Sequence, residues 1–198
     1  STLFPYTTLF RSGYVYAVLQ YRMPNGCSDI PLSDAEQAMR IIKSHADEWN
    51  ISSDQIGVMG ASAGGHLAST LATHTMDDLR PAFQILFYPV ITMKQEYTHG
   101  GSRQNLLGSD PTKDNVEAYS NELRVTSDTP PAFIMLSGDD DVVPIQNSFS
   151  YYLALLQHKV PAEMHVYPSG GHGWGYLENF FFKKQWIFEL EEWLKNLK

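Results

Sequence analysis

The sequence has 198 residues, of which 43% are hydrophobic and 18% charged. This balance suits one folded domain with a hydrophobic core. The formal net charge of -8 argues against a protein that binds nucleic acid or an anionic membrane. Cys27 is the only cysteine, which excludes an intramolecular disulfide framework and a CxxC pair. No apolar run approaches the roughly 20 residues that span a bilayer, and the start of the chain lacks the layout of a secretory signal.

Residues 2–12, TLFPYTTLFRS, resemble the translation of a sequencing-library adapter. We therefore leave residues 1–12 out of the fold reasoning and predict that the natural sequence begins near Gly13. The alternative is an edge strand, because aromatic and β-branched residues are favoured in strands. Residues 13–21 form a short apolar and aromatic run, which predicts a buried strand.

The rest of the chain predicts helices that alternate with strands. Ser33 and Glu36 form a capping box, and apolar residues at helical spacing extend that helix to Trp49. Further elements are predicted at residues 56–59 (strand), 66–74 (helix), 82–91 (strand), 132–136 (strand), 145–158 (helix), 163–167 (strand) and 186–197 (helix). The polar segment 92–131 is predicted to be an insertion or lid with short helices. This order implies a mostly parallel sheet with helices on both faces.

A GxSxG pattern at residues 60–64 lies between a predicted strand and a predicted helix, the context of a nucleophile elbow. Ser62 is the candidate nucleophile. A sharp turn would strain its backbone, so we expect Gly60 and Gly64 to be required as glycines, with the positive end of the next helix facing the site. The pattern arises by chance in about 0.07 of chains of this length. The alternative is a turn of small residues that lets a helix approach a strand.

Two further loops follow predicted strands. Residues 138–144, GDDDVVP, contain three adjacent carboxylates, one of which needs a cationic or hydrogen-bonding partner such as an imidazole. The other two are expected to be solvated residues of a turn that caps the next helix. In Gly170–Gly171–His172–Gly173 the glycines leave room for the ring of His172, the candidate general base. The remaining histidines are expected at the surface, except His66, for which a structural role is expected.

Serine, aspartate and histidine follow in the chain order of the α/β-hydrolase triad. The segments IGVMGASAGGHLASTLATH and DDDVVPIQNS, with the closing PSGGHGWG, resemble α/β-hydrolase esterases of the acetyl xylan and feruloyl esterase type, from about Gly13 to the end. That resemblance implies the α/β-hydrolase fold and assigns the aspartate to Asp140, with Asp141 as second choice. It also implies an HGGG-like oxyanion loop before Gly13. This sequence has none, so we expect a partial catalytic domain over residues 13–198 that lacks the early N-terminal strands.

The predicted reaction is acyl transfer in two steps, in which His172 takes the proton of Ser62, Ser62 attacks an ester carbonyl, and water later frees the acid. Asp140 orients the imidazole, and the Ala63 amide donates to the oxyanion. The resemblance implies a small ester or an acylated plant polysaccharide as substrate, with acetyl or aromatic acyl groups, and a periplasmic or secreted parent protein.

Two alternatives stay open. A prolyl-oligopeptidase-like peptidase shares GxSxGG and a closing GGH, although such peptidases carry aromatic residues where this chain has Ala61 and Ala63. The chain could also be a catalytically silent relative or fragment that binds without turnover. No cofactor, nucleic acid or membrane partner is expected, and no metal, because HxxxH and HExxH are absent. The sequence does not indicate an oligomeric state.

Overall fold

The computed structural model describes residues 14–75 and 77–197. Helices and strands alternate in the predicted order. In chain order they are α1 (Asp29–Ser44), α2 (Ala46–Trp49), β1 (Val58–Ala61), α3 (Ala63–His74), β2 (Gln84–Phe87), α4 (Gly100–Leu107), α5 (Lys113–Ala118), β3 (Ala132–Ser137), α6 (Gln146–Gln157), β4 (Ala162–Tyr167) and α7 (Lys183–Asn196). Single 3₁₀ turns lie at Ser53–Gln55, Asp77–Leu79 and Asn121–Leu123. Within these described ranges, none of the helices has the length and apolar character needed to cross a membrane.

The four strands form one parallel sheet in the order β1-β2-β3-β4. Their first residues are in register: Val58 pairs with Gln84, Gln84 with Ala132, and Ala132 with Ala162. Both central strands, β2 and β3, are buried throughout, as expected for parallel strands that are covered on both faces. The predicted parallel sheet is confirmed, and the carboxyl ends of all four strands meet at one edge.

Helices cover both faces of this sheet. Trp186 of α7 packs edge-on against Phe87 of β2, with ring centroids 5.2 Å apart. Tyr151 of α6 instead donates a hydrogen bond to the side chain of Gln84 on the same strand, at 3.0 Å. Because residues three apart on a strand point to opposite faces, α7 and α6 lie on opposite sides. The layers bury the two central strands and leave the loops of the sheet to form the site.

The strand predicted at residues 13–21 is wrong over its described part, because residues 14–21 form no strand. Val15 and Val18 are 66% and 67% exposed, and the hydroxyl of Tyr16 lies 3.1 Å from Met59 Sδ. A strand needs a neighbour for its backbone hydrogen bonds, and the described sheet places none beside this segment. Gly13 and the adapter-like residues 2–12, with the alternative edge strand, lie outside the described residues.

Helix α1 begins at Asp29, ahead of the predicted capping box. Ser33 and Glu36 lie inside the helix, where Glu36 accepts a hydrogen bond from Thr75 Oγ1 at 3.2 Å. The earlier start is compatible with Pro31, because proline is tolerated in the first turn of a helix. The capping box therefore predicts the helix but not its first residue.

The predicted extension of this helix to Trp49 is interrupted at His45, so that Trp49 falls in the short helix α2. The apolar spacing is right within α1. Ala35 and Met39 are buried and pack in one cluster with Leu71 of α3. This contact joins α1 to the helix that follows the candidate nucleophile.

Segment 92–131 contains the short helices α4 and α5, as predicted. The start of the segment is hydrogen-bonded to α6 through Asn147. Asn147 Oδ1 accepts hydrogen bonds from Ile91 N at 2.9 Å and Thr92 N at 3.1 Å. The amide of Asn147 donates to Tyr97 O at 2.7 Å. The segment is thus packed onto the domain, while its role as a lid stays a prediction.

Candidate active site

Ser62 lies in a sharp turn between β1 and α3. Its backbone angles are φ 53° and ψ -121°, and a positive φ is uncommon for a residue other than glycine. Ser62 N donates to Phe87 O at 3.0 Å, and Ser62 O accepts from Val90 N at 3.0 Å. The end of β2 and the loop after it therefore hold the strained turn through its main chain.

Glycine is required at two positions of this turn. A Cβ on Gly60 would overlap the carbonyl oxygen of Gly64, and a Cβ on Gly65 would lie 2.7 Å from Pro89 Cβ. A Cβ on Gly64 would meet no atom of the described residues within 4 Å. The prediction that both glycines flanking Ser62 are sterically required is therefore right for Gly60 and wrong for Gly64. The tight approach involves the strand end and the helix start, so Gly65 takes the place expected of Gly64.

The three predicted loops bring Ser62, His172 and Asp140 into one hydrogen-bonded chain. His172 Nε2 lies 2.8 Å from Ser62 Oγ, and His172 Nδ1 lies 2.7 Å from Asp140 Oδ2. Because a carboxylate accepts hydrogen bonds, the ring proton belongs on Nδ1, which leaves Nε2 to accept the hydroxyl proton of Ser62. The arrangement can move a proton from the serine to the imidazole.

Asp140, and not Asp141, faces the imidazole. Oδ1 of Asp140 accepts hydrogen bonds from Val142 N and Val143 N, each at 2.9 Å, and its side chain is 1% exposed. Asp141 is exposed, and its carboxyl accepts no hydrogen bond from the described residues. One oxygen of Asp140 is therefore fixed by the turn and the other is free to orient the ring of His172.

Asp139 has partners that the sequence analysis did not expect. Its Oδ1 accepts a hydrogen bond from Gly171 N at 2.8 Å, and its Oδ2 accepts one from Gly170 N at 3.2 Å. The bond from Gly171 is the main cause that lowers the pKa of the Asp139 carboxyl. Asp139 is exposed, as predicted, but it also bonds to the loop that carries His172, which the prediction missed. Helix α6 follows Ile145 as its N-cap, so the aspartates do not cap it.

Tyr88 is a site residue that the sequence analysis missed. Its ring meets that of His172 with centroids 4.6 Å apart at an interplanar angle of 61°, and it is 4% exposed. Burial raises the pKa of the phenol to about 12, so Tyr88 stays neutral near neutral pH. The available signal was its place directly after a buried strand, at the sheet edge where the other loops gather.

Trp174 packs on the core side of the histidine loop, residues 170–173. It is 2% exposed and stacks on Phe180 with centroids 4.1 Å apart. Its ring also meets Tyr88 edge-on at 5.1 Å. Aromatic rings thus support His172 on the side of the loop that faces the core.

Two further histidines join α3 to the insertion. His66 is 6% exposed, and its Nε2 donates to Tyr119 O at 2.8 Å, as expected for a structural residue. Burial lowers the pKa of His66 to about 4. His74, expected at the surface, is half-buried and makes the same kind of bond to Ala118 O at 2.8 Å. Both imidazoles therefore have a structural role, because their hydrogen bonds hold α3 against the insertion.

A cavity of about 190 Å³ borders Ala63, the first residue of α3. None of the described side chains that line it is charged. Several of its polar groups already have partners: His66 bonds to Tyr119 O, and His99 Nδ1 lies 2.9 Å from Ser102 Oγ. Its apolar walls include Met23, Leu67, Met93 and Leu106. The cavity therefore suits an uncharged, largely apolar group next to the candidate nucleophile.

Metal binding has no evident place in the described parts of the chain, where no three His, Cys, Asp or Glu side chains are grouped so as to hold an ion. The groups that the described site offers for chemistry are the serine, the imidazole, the carboxylate and the backbone amides. The Ala63 amide belongs to the first turn of α3, where N–H groups lack acceptors within the helix.

Comparisons with known sequences identify a matching family and two relatives that are named as an esterase and a xylanase. A family profile described as BD-FAE matches residues 4–155. An acetylxylan esterase of Xylanibacter ruminicola is 40% identical over 193 residues, which cover 96% of this chain and 40% of that protein. The endo-1,4-beta-xylanase B of Butyrivibrio fibrisolvens is 38% identical over 164 residues, which cover 77% of this chain and 26% of that protein. The chain thus spans less than half the length of either curated relative.

Solved structures show the same arrangement of elements. The crystal structure of an acetyl ester-xyloside bifunctional hydrolase from Caldicellulosiruptor lactoaceticus has a TM-score of 0.89 and 37% identity, covering 96% of this chain and 74% of that chain. A carboxylesterase from Lactobacillus plantarum WCFS1 has a TM-score of 0.79 and 25% identity, covering 96% of this chain and 76% of that one. Both similarities extend over nearly the whole chain.

Proposed function

The chain belongs to the BD-FAE family and has the α/β-hydrolase fold of esterases, and from this premise we propose that it hydrolyses carboxylic esters with Ser62, His172 and Asp140. The observation that carries the proposal is the continuous hydrogen-bonded chain, 2.8 Å from serine to imidazole and 2.7 Å from imidazole to carboxylate. A nucleophile, a base and an orienting group in this geometry are the recurring arrangement of serine hydrolases.

In the first half of the reaction, Ser62 Oγ attacks the ester carbonyl carbon while its proton moves to His172 Nε2. The carbonyl π electrons move onto the oxygen, which becomes an oxyanion. The Ala63 amide donates a hydrogen bond to that oxygen, and the positive end of α3 favours the developing charge. Asp140 accepts the Nδ1–H hydrogen bond and stabilises the imidazolium that forms.

The tetrahedral intermediate then collapses to an acyl-enzyme, and water hydrolyses that acyl-enzyme. The bond between the carbonyl carbon and the alcohol oxygen breaks, and the alcohol leaves with the proton from His172. The acyl group remains on Ser62. A water molecule gives a proton to Nε2 and attacks the acyl carbon. The bond from that carbon to Ser62 Oγ then breaks, the acid leaves, and Ser62 Oγ takes the proton back from His172. The same imidazole thus serves as acid and base.

The acyl part of the ester fits the cavity beside Ala63. A protein cavity of about 150 Å³ holds benzene in another system, so a volume of about 190 Å³ has room for an acetyl group or an aromatic ring. Burying a sugar there would leave hydroxyls without partners, which is costly. We therefore assign this cavity to the acyl group. The names of the xylan-directed relatives support acylated plant polysaccharide as the substrate of the whole protein.

The decisive experiment is hydrolysis of p-nitrophenyl acetate by this chain beside its Ser62→Ala and His172→Ala variants. We expect both substitutions to abolish turnover, because they remove the nucleophile and the base. A fluorophosphonate should label Ser62 in the starting chain and not in the His172→Ala variant, as read by mass spectrometry. Thermal unfolding shows that each variant folds.

Two results would contradict the proposal. Turnover that survives Ser62→Ala would place the chemistry elsewhere. A folded chain without turnover and without labelling would instead favour a silent relative that binds its ligand.

A further inference from the structure

The turn after β3 holds the histidine loop at two points, and we propose that Asp139 is a positioning residue for His172. Asp140 holds the imidazole through Nδ1 at 2.7 Å. Asp139 holds the main chain immediately before that imidazole, through Gly171 N at 2.8 Å and Gly170 N at 3.2 Å. The inference rests on the proposed function, since it concerns the group that accepts the proton of Ser62.

The histidine loop needs such support because its backbone is unusually free. Gly170, Gly171 and Gly173 have φ values of 144°, 61° and 79°, a region that glycine enters at little steric cost. Glycine also has the largest conformational entropy to lose when a loop becomes ordered. Two successive amides bound to one carboxylate fix the direction of the main chain on entry to His172, and bonds to an ionised acceptor are stronger than neutral ones.

Of the three glycines of this loop, only Gly170 lies where a Cβ would meet close steric contact. A Cβ on Gly170 would lie 2.5 Å from Phe180 Cε2 and 2.7 Å from Ser137 Oγ, so neighbouring atoms block that side of Gly170, although the residue itself is exposed. A Cβ on Gly171 would meet no described atom within 4 Å. On the side where a Cβ would lie, the residue next to His172 therefore has no steric restraint, and its N–H is bonded to Asp139.

Asp139 is expected to act on catalysis only through the position of the imidazole. Its carboxylate oxygens are taken up by the two amides, and the cavity assigned to the acyl group borders Ala63, in a different loop. Misplacing a catalytic group by about 1 Å can cost about 10²-fold in rate. Loss of Asp139 should therefore lower kcat and leave KM almost unchanged.

The test compares Asp139→Ala, Asp139→Asn and the matched control Asp141→Ala. Asp141 is an exposed aspartate of the same turn without a described hydrogen bond, so its variant reports the loss of negative charge alone. We expect Asp139→Ala to lower kcat for p-nitrophenyl acetate by about 10-fold or more. The kcat of Asp139→Asn should lie between those of Asp139→Ala and the starting chain, because its side-chain carbonyl still accepts one amide hydrogen bond. Asp141→Ala should match the starting chain.

A second readout does not depend on turnover. In an NMR spectrum, the Nδ1–H proton of His172 should give a strongly deshielded signal that reports its hydrogen bond to Asp140. That signal should broaden or disappear in Asp139→Ala and persist in Asp141→Ala, with both variants folded.

A normal kcat and an intact Nδ1–H signal in Asp139→Ala would overturn the proposal, as would equal losses in the Asp139 and Asp141 variants. A raised KM at normal kcat would also overturn it. Absence of Ser62-dependent turnover in the starting chain would refute the proposed function instead, and the NMR comparison would still decide the role of Asp139.

Discussion

The turn around Ser62 and the loop around His172 position their side chains by different means. Around Ser62 the main chain is packed so closely that Gly60 has no room for a Cβ, and backbone hydrogen bonds hold both sides of the serine. Around His172, Gly171 and Gly173 have room for a Cβ, and two carboxylates from another loop hold the backbone and the ring. The nucleophile is thus placed by steric exclusion and the base by hydrogen bonds.

This difference determines how each region should respond to substitution. Steric positioning fails abruptly, because an atom that does not fit must displace the main chain around it. Hydrogen-bonded positioning fails by degrees, because each acceptor can be removed separately while the others remain. The elbow should therefore be sensitive to added volume and the histidine loop to lost acceptors.

The largest effect is expected for Gly60→Ala. Its new Cβ would overlap the carbonyl oxygen of Gly64, so the strand and α3 must separate and Ser62 must leave the imidazole. Ester hydrolysis should fall below detection, with a lower melting temperature. Gly64→Ala is the matched control, since its Cβ meets no described atom within 4 Å, and it should stay close to the starting chain. Equal behaviour of the two variants would refute the steric account of the elbow.

Asp140→Asn tests the hydrogen-bonded side of the comparison. The change keeps the shape of the side chain and an acceptor for the amides of Val142 and Val143, but it removes the charge that stabilises the imidazolium. We expect kcat to fall by about 10⁴-fold, as in comparable serine hydrolases, at nearly unchanged stability. Steady-state kinetics with Asp141→Asn as control measures this. A similar loss in the control would mean that the net charge of the turn matters more than its geometry.

A smaller effect is expected on the free energy of unfolding, which should depend on pH because of His66, on the helix that follows the elbow. Its pKa in the folded chain is about 4, against an ordinary value of about 6.5. Between these values the unfolded chain binds the extra proton, so stability should fall as the pH is lowered from 7 to 5, by about 2 kcal/mol. Urea unfolding at both pH values measures the loss. His66→Gln, which does not titrate, should show a clearly smaller loss, and an equal one would exclude His66 as its source.

The smallest effect is expected for acyl selectivity, which should depend on the elbow side of the site. Leu106 lines the cavity beside Ala63, whereas Leu107 does not line it, and each is 8% exposed. Leu106→Ala should raise kcat/KM for p-nitrophenyl benzoate relative to the acetate by about 10-fold, because it enlarges an apolar pocket. Leu107→Ala removes the same volume from the same helix and should leave that ratio unchanged. A shift in both variants, or in neither, would count against the cavity as the acyl site.

Most of the fold follows from local patterns in the sequence. Buried strands and amphipathic helices alternate, and that order implies a parallel sheet with a common edge at which Ser62, Asp140 and His172 can meet. The failures occur where a structure depends on distant neighbours. Residues 14–21 have strand composition but lack a pairing partner in the described sheet, and Glu36 bonds to Thr75 instead of capping its helix.

The site shows the same division. The spacing of GxSxG and GGHG identifies Ser62 and His172, since each motif is short and carries its own geometry. Choosing Asp140 within three aspartates required the resemblance to known esterases. The bonds of Asp139 to Gly170 and Gly171 join residues 31 and 32 positions apart, and Tyr88 and His172 are still farther apart in sequence. Patterns within one segment carry no information about such pairs.

The burial of Trp174 provides a fluorescence signal that reports the position of His172. Trp174 lies two residues after His172 and is one of four tryptophans, and its indole is shielded between Phe180 and Tyr88. Indole emission shifts to longer wavelength on contact with water. Any motion that carries His172 away from Ser62 by opening this loop would hydrate Trp174 and redden its fluorescence, so departure of the base can be followed without substrate.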